Sequence, residues 1–337
     1  MIFKRKFFIL LIFVGLILAG MIVGLYYYQH NLSPAVHSVL ATSSPSIKYS
    51  VTANHQSNPN AYGLLKDAIH TLAKSKQFND FIKADQLLQQ HLKRLTLAQR
   101  YEVMESFLQA VNQHISLVDG EKKELSRHND FLLDVTPEEY QPPLLAKRLL
   151  TVLQPEQKKW FSQAINHNFD LLDIGEGFYI IRLNPDYIVK RFAPTLPQAD
   201  QVFIKAIAQQ NQQQFYYDAA IAISWQELGE RAIFWENYTK QYPDAYFAKD
   251  AQTLAAYYLY FFIHGMDNTR PIEYFNEQEN KPVIEGEAKQ AFLFIKNKYP
   301  NSNVSQKIKQ FEDSSLINQT IIEPVKPTQR STLMGQL

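Results

Sequence analysis

Residues 224–265 read SWQELGERAIFWENYTKQYPDAYFAKDAQTLAAYYLYFFIHG, and this stretch decides the fold. Ser224 followed three residues later by Glu227 is the pattern of a capping box, in which two side chains satisfy free backbone N–H groups at a helix start. Trp225, Leu228, Ala232, Trp235, Tyr238 and Tyr242 then recur every three or four residues, which makes one apolar stripe along a helix. Pro243 stops that helix, because the residue before a proline disfavours the α region. A second helix is predicted over about 245–264. Its segment LAAYYLYFFI at 254–263 is apolar all round, so it should be buried on most sides. It is too short to cross a membrane. Gly265 follows, suited to a left-handed helix end.

The pattern returns. Trp235-x-x-Tyr238-x-x-x-Tyr242-Pro243-Asp244 has the same spacing as Phe292-x-x-Ile295-x-x-x-Tyr299-Pro300-Asn301. A second amphipathic helix follows each Tyr-Pro, with Ala248, Ala251 and Ala255 in one and Val304, Ile308 and Phe311 in the other. Trp235, Tyr238, Tyr242, Pro243, Tyr299 and Pro300 are therefore read as structural. Each unit is a helix, a tight proline turn and a helix, and such pairs can stack on one another. The arrangement resembles the tetratricopeptide repeats of bacterial cell-envelope proteins, over about residues 225–312. The Tyr-Pro sites lie 57 residues apart, against a repeat period of about 34. The excess falls in 266–286, read as an inserted loop. The resemblance implies a protein-interaction scaffold. The other reading is a helical domain with two similar hairpins and no repeat ancestry.

Working toward the N-terminus, residues 61–118 carry a helical pattern. Thr96 and Gln99 form a capping box ahead of Leu97, Tyr101, Met104, Phe107, Leu108 and Val111. Residues 119–136 are polar and loop-like. Helices resume over 142–152 and again after Pro155, where Trp160, Phe161 and Ile165 form the apolar face. Residues 169–184, FDLLDIGEGFYIIRLN, differ: two short apolar runs flank Gly175-Glu176-Gly177, the pattern of a small β-hairpin. Helical periodicity returns near Tyr187, and the tail 314–337 reads as disordered. The predicted fold is mainly α. A helical domain over 61–223, with one hairpin near 169–184, precedes tetratricopeptide-like hairpins over 224–313.

The first sixty residues predict a location. Lys4, Arg5 and Lys6 precede an uncharged stretch from Phe7 to Tyr28. That is long enough for the ~20 apolar residues that cross a bilayer. Tyr26, Tyr27 and Tyr28 fit an interfacial belt, and the next basic residue is Lys48. The positive-inside rule then predicts a single-pass signal-anchor in a bacterial inner membrane. Its N-terminus is cytoplasmic and its bulk periplasmic, after a flexible stalk over 29–60. The rival is a cleaved signal peptide with Val39-Leu40-Ala41 as the site, although apolar regions of that kind usually run ~7–15 residues. Leu18-Ala19-Gly20 begins a lipoprotein box, but Met21 stands where lipidation needs a cysteine. Gly20 and Gly24 form a small-xxx-small pair, which allows a homodimer through the span.

Composition and motifs narrow the chemistry. With 46% hydrophobic and 20% charged residues the chain can form a real core, and its net charge of +1 gives no field that would favour nucleic acid. Cysteine is absent, so thiol catalysis, disulfides and thiolate metal sites are excluded. The sequence carries no phosphate-cradling Gly-Lys-Ser/Thr loop, no dinucleotide fingerprint and no Gly-x-Ser-x-Gly elbow. His167 with Asp170, and His128 with Asp130, lack a third clustered ligand. Glu138-Glu139 and Glu285-x-Glu287 place acids together, as a cell-wall hydrolase would need. The loop Met266-Asp267-Asn268-Thr269-Arg270-Pro271 follows the buried helix and offers carboxylate, amide and guanidinium groups on a rigid support. Asp267, Asn268 and Arg270, with Glu176 at the hairpin tip, are the candidate binding residues. No catalytic, metal or cofactor residue is predicted. The expected role is a membrane-anchored scaffold for an envelope protein or peptide. A hydrolase using paired carboxylates, or a structural dimer, are the alternatives.

Overall fold

The structure is a computed structural model and describes residues 59–120 and 142–314, apart from 176–177, 213–214, 218, 277 and 280. Among the described residues there are eleven α-helices, two short 3-10 helices and three two-stranded antiparallel sheets. The first three helices are α1 (Pro59–Lys74), α2 (Phe78–His91) and α3 (Leu97–Asp119). Helix α1 packs against both others. Leu65, Leu72, Phe81, Leu88, Met104, Phe107 and Val111 are all buried between them. The capping box of α3 is present in full: Thr96 Oγ1 accepts from the Gln99 amide at 3.3 Å, and Gln99 Oε1 accepts from the Thr96 amide at 3.0 Å.

Helices α4 (Pro142–Val152) and α5 (Pro155–Ile165) lead into strands β1 (Phe169–Gly175) and β2 (Phe178–Leu183). Their register pairs Phe169 with Leu183 and Leu171 with Ile181, and all four side chains turn into the core. On the alternate face Asp170 sits beside Arg182, with Nε 2.9 Å from Oδ1. Arg182 Nη1 also donates to the Asn211 carbonyl at 2.7 Å. That bond fastens the hairpin to α7 (Gln198–Gln212), which follows the short α6 (Pro185–Arg191).

Strands β3 (Tyr216–Tyr217) and β4 (Ala220–Ile221) precede the stretch that opened the reading. It forms helices α8 (Trp225–Gln241) and α9 (Ala248–His264). Ser224 Oγ accepts from the Glu227 amide at 3.2 Å. The return half of the predicted box is replaced, because the Glu227 carboxylate instead takes the Arg231 guanidinium of the next turn. The stripe Trp225, Leu228, Ala232, Trp235 and Tyr238 is buried. In the run 254–263 only Ala256 is exposed. At Gly229 a Cβ would stand 2.7 Å from the Phe262 ring and 3.0 Å from Ile295. Glycine therefore lets α8 approach α9 and α10 (Gly286–Lys298) closely.

The two Tyr-Pro turns are near duplicates. Tyr242 has φ −130° and ψ 58°, and Tyr299 has φ −131° and ψ 56°. The Tyr242 amide donates to the Tyr238 carbonyl at 2.9 Å, and the Tyr299 amide to the Ile295 carbonyl at 2.8 Å. Both tyrosines are half-buried and both prolines exposed. The following helices start differently. Helix α9 has no side-chain cap on its first turn, whereas α11 (Asn303–Glu312) is capped by Ser302. Across the stack, Glu236 of α8 accepts from the Asn303 amide at 2.9 Å and the Val304 amide at 3.2 Å. A buried carboxylate thus meets the positive end of α11 and locks the second hairpin onto the first.

The predicted architecture is corrected in two respects. Three hairpins are present where one was expected. The region read as an inserted loop, 266–286, contains β5 (Ile272–Asn276) and β6 (Lys281–Ile284), and β3 with β4 was not foreseen. Further, the expected transmembrane helix is not among the elements of the structure: no described helix is long and apolar enough to cross a membrane. The predicted span at 7–28, with Gly20 and Gly24, lies outside the described residues, as do the stalk up to residue 58 and the tail from residue 315.

Candidate functional site

An open groove of about 650 Å³ runs along the first half of α3. Leu97, Ala98, Tyr101, Glu102, Glu105 and Ser106 line it from one side, and Tyr246 lines it from the α8–α9 turn. The α3 residues fall at i, i+4 and i+8 with their immediate neighbours, which is one face of a helix. Tyr101 and Tyr246 stack, with centroids 3.8 Å apart and planes within 5°.

The stacked pair is braced from beneath. The Tyr101 hydroxyl donates to Asp200 of α7, and Asp200 is 2% exposed. Burial pushes the Asp200 carboxyl up, while Tyr101 and the amides of Phe247 and Tyr246 pull it back toward its charged form. Burial likewise pushes the Tyr101 phenol far above its ordinary value, so it remains a donor. Behind Tyr246, Phe247 stacks on Phe203 at 4.4 Å. Tyr246 is 45% exposed, and Leu97 beside it is 37% exposed. At the rim Glu102 meets Lys66 at 3.2 Å, with both side chains more than half exposed. Tyr62 and Lys66 together hold the Glu102 carboxyl below its ordinary value, so it is ionised at neutral pH.

The residues picked out from sequence lie elsewhere. Asp267, Asn268 and Arg270 come together in a tight turn, not in the groove. Met266 and Thr269 exchange backbone bonds at 2.8 and 3.0 Å. The Asn268 amide donates to the Ala219 carbonyl at 2.9 Å, and Thr269 Oγ1 accepts from the Ile221 amide at 3.1 Å. These bonds fasten the β3–β4 hairpin to the end of α9. Gly265, at φ +70°, is required there, because a Cβ would lie 2.2 Å from the Thr269 carbonyl oxygen. Asp267 and Arg270 meet at 3.6 Å on the surface. Glu176 lies outside the described residues.

Trp235 and Tyr238 are fully buried, and their polar atoms are used internally. Trp235 Nε1 donates to Gln210 at 3.0 Å, and the Tyr238 hydroxyl to the Ala199 carbonyl at 3.1 Å. His167 Nδ1 faces the Gln163 carbonyl at 2.8 Å, while Asp170 is held by Arg182. Among the described residues no three histidine or acidic side chains gather as metal ligands. Glu285 and Glu287 are exposed at the start of α10, and Glu138-Glu139 lies outside the described residues.

Sequence reasoning used Leu97 and Tyr101 only as members of a helical stripe and passed over Tyr246. The available signal was a tyrosine beside Pro243-Asp244 in a connection between helices, where aromatic residues have little packing reason to be. No family model, curated protein or solved structure matches the chain.

Proposed function

We propose that the chain is a protein- or peptide-binding scaffold. The observation that carries this reading is the groove. An open, tyrosine-floored channel is held rigid by the Tyr101–Asp200 bond and the Phe247–Phe203 stack, and its rim leaves Leu97 and Tyr246 exposed. A channel this shallow cannot enclose a small molecule as enzyme pockets do, whereas it can take a segment of chain whose remainder lies along the surface. Two further features support a scaffold of stacked hairpins. One is the duplicated Tyr-Pro geometry. The other is Trp225-x-x-Leu228-Gly229, which is similar to the opening of a tetratricopeptide first helix, although Ala232 stands where that pattern has a tyrosine; Gly229 lies at the close helix contact.

The test is a photo-crosslinking amino acid placed at position 97 or 246, with position 117 as the control at the far end of α3. The expected result in living cells is a discrete protein adduct from 97 and 246 that is absent from 117. Equal adducts from all three positions, or none, overturn the reading.

We further place this role on the non-cytoplasmic side of a bacterial inner membrane. The support is the asymmetry between Lys4-Arg5-Lys6 and the uncharged residues 7–28. Protease added to intact spheroplasts should then remove the folded domain, and its survival would reject the compartment.

A further inference from the structure

We propose that His114 is an acid-sensitive latch, whose protonation releases α5 from α3 and uncovers the aromatic cluster of Phe78, Trp160 and Phe169. The ring stands where three elements meet. It belongs to α3, its Nδ1 lies 2.6 Å from the Ser75 carbonyl in the α1–α2 connection, and its Nε2 lies 3.2 Å from Trp160 Nε1 on α5. These partners fix the tautomer. A carbonyl oxygen can only accept and an indole N–H can only donate, so Nδ1 carries the proton and Nε2 has none. A second proton, on Nε2, sets two donors against each other. His114 is 0% exposed, so the charged ring reaches water only if part of its cover moves.

Of the covering elements, α5 is the one able to yield. The α1–α2 connection is tied by its own bonds: Ser75 Oγ donates to Asp80 Oδ2 at 2.5 Å and accepts from the Gln77 amide at 2.9 Å. Helix α5 has 11 residues, fewer than the ~12–15 at which an isolated helix is even marginal in water. Ser162 and Asn166 return their side-chain bonds to carbonyls of α5 itself, whereas Trp160 Nε1 reaches outside it to His114. The same indole meets Phe78 edge-on at 5.7 Å and Phe169 at 5.9 Å, so those contacts go when it lifts. Asp80 faces the ring from α2 and favours its charged form, but burial outweighs that and holds the His114 pKa below its ordinary value. Among the described residues no other charged side chain acts on the ring. His167, the next titratable group, lies beyond Phe78, 5.2 Å from that ring. Acid therefore favours the open form. Below ~6.5 each pH unit raises the open-to-closed ratio about tenfold, the slope of one proton, until the closed form is itself protonated.

The experiment follows hydrogen exchange of the Trp160 indole in the full chain by NMR, from about pH 7.5 to about pH 5, on either side of the ordinary histidine value. N-acetyltryptophanamide supplies the intrinsic rate. Trp235, whose Nε1 donates to Gln210, is the reference. The expected Trp160 protection is flat above pH ~7 and falls by up to about tenfold per unit below ~6.5. It should not respond to low urea, because a local opening exposes little surface. In His114→Gln the amide can still donate to Ser75 and accept from Trp160 but takes up no proton, so protection should stay constant with pH. A Trp160 protection independent of pH in the parent overturns the proposal. So does one lost with urea as steeply as that of Trp235, since the whole domain then opens together. A slope that survives in His114→Gln places the proton on another group and overturns it as well. Should that variant not fold, the pH and urea series on the parent decide alone.

Discussion

Replacing Tyr101 with phenylalanine tests how the groove floor is held. The phenyl ring can still stack on Tyr246, so the groove keeps its shape, but Asp200 loses the hydroxyl that donates to it. Asp200 is 2% exposed and its folded-state pKa is already raised, first by burial. Leaving a buried acceptor one donor short costs ~1–3 kcal/mol. We therefore expect Tyr101→Phe to lose about 2 kcal/mol at neutral pH, which for a domain of this size is a fall in Tm of ~4–8 °C.

The loss should depend on pH in a defined direction. Asp200 binds a proton more readily folded than unfolded. Its contribution to stability is therefore greatest when protonated, below its ordinary value, and declines as pH rises through its folded pKa. The Tyr101 hydroxyl works against that decline by favouring the charged form. Without it the folded pKa rises further, and the deficit of the variant should shrink on acidification, as Asp200 becomes neutral. Urea unfolding followed by tryptophan fluorescence, at neutral and mildly acidic pH, measures both effects. Asp200→Asn serves as the control, since its amide oxygen still accepts from Tyr101 but carries no charge; it should cost less and remove the pH-dependent part. A Tyr101→Phe variant within about 0.5 kcal/mol of the parent at neutral pH, the scatter of ordinary surface changes, would refute the reasoning. So would a deficit that grows in acid.

Three other outcomes are expected. Glu236→Gln replaces an acceptor facing the Asn303 and Val304 amides with a group that is half donor; it should cost ~2–3 kcal/mol, as charge-assisted bonds do, and raise hydrogen exchange in the first turn of α11 before the rest of the molecule. Gly229→Ala should destabilise by about 1 kcal/mol, because its Cβ overlaps Phe262 and Ile295, whereas helix propensity alone predicts a gain of about that size; the sign of the change in the urea midpoint decides between them. His114 is buried, with Nδ1 on the Ser75 carbonyl at 2.6 Å and Nε2 accepting from Trp160 at 3.2 Å, an arrangement that requires the neutral ring. Burial lowers its pKa, so stability should fall as pH drops below ~6.5, where the unfolded chain takes up the proton, and His114→Gln should flatten that slope in unfolding midpoints measured across the range.

What was legible in the sequence was whatever repeats locally. The stripe of α8 and the stop at Pro243 follow from a 3.6-residue period and from proline sterics, both written within a single helix. The β1–β2 hairpin was legible for the same reason, since its alternation spans six or seven residues on each side. The strands β3 and β4 are two residues each, too short to show a period. The β5–β6 pair hides its alternation twice over, through a register shift between Ile272 and Tyr274 and through Pro282 inside β6. Proline is tolerated there because each strand of a two-stranded sheet is an edge.

The groove was illegible for a different reason, which also explains what it is. Tyr101 and Tyr246 are distant in sequence, and each has an adequate local account, one as a stripe member and one as a turn residue. Only the third partner, Asp200, distinguishes them, because a buried carboxylate is costly unless donors converge on it. Asp200 lies on α7, and the donor that meets it, Tyr101, comes from α3. The Tyr101 hydroxyl donates to Asp200, and the Tyr101 ring stacks on Tyr246, so the position of Tyr246 is tied to that buried pair. An energetically unfavourable group kept directly under an exposed aromatic surface is the pattern expected where position is needed more than stability. For that reason the groove, and not the polar turn at Asp267–Arg270, carries the functional argument.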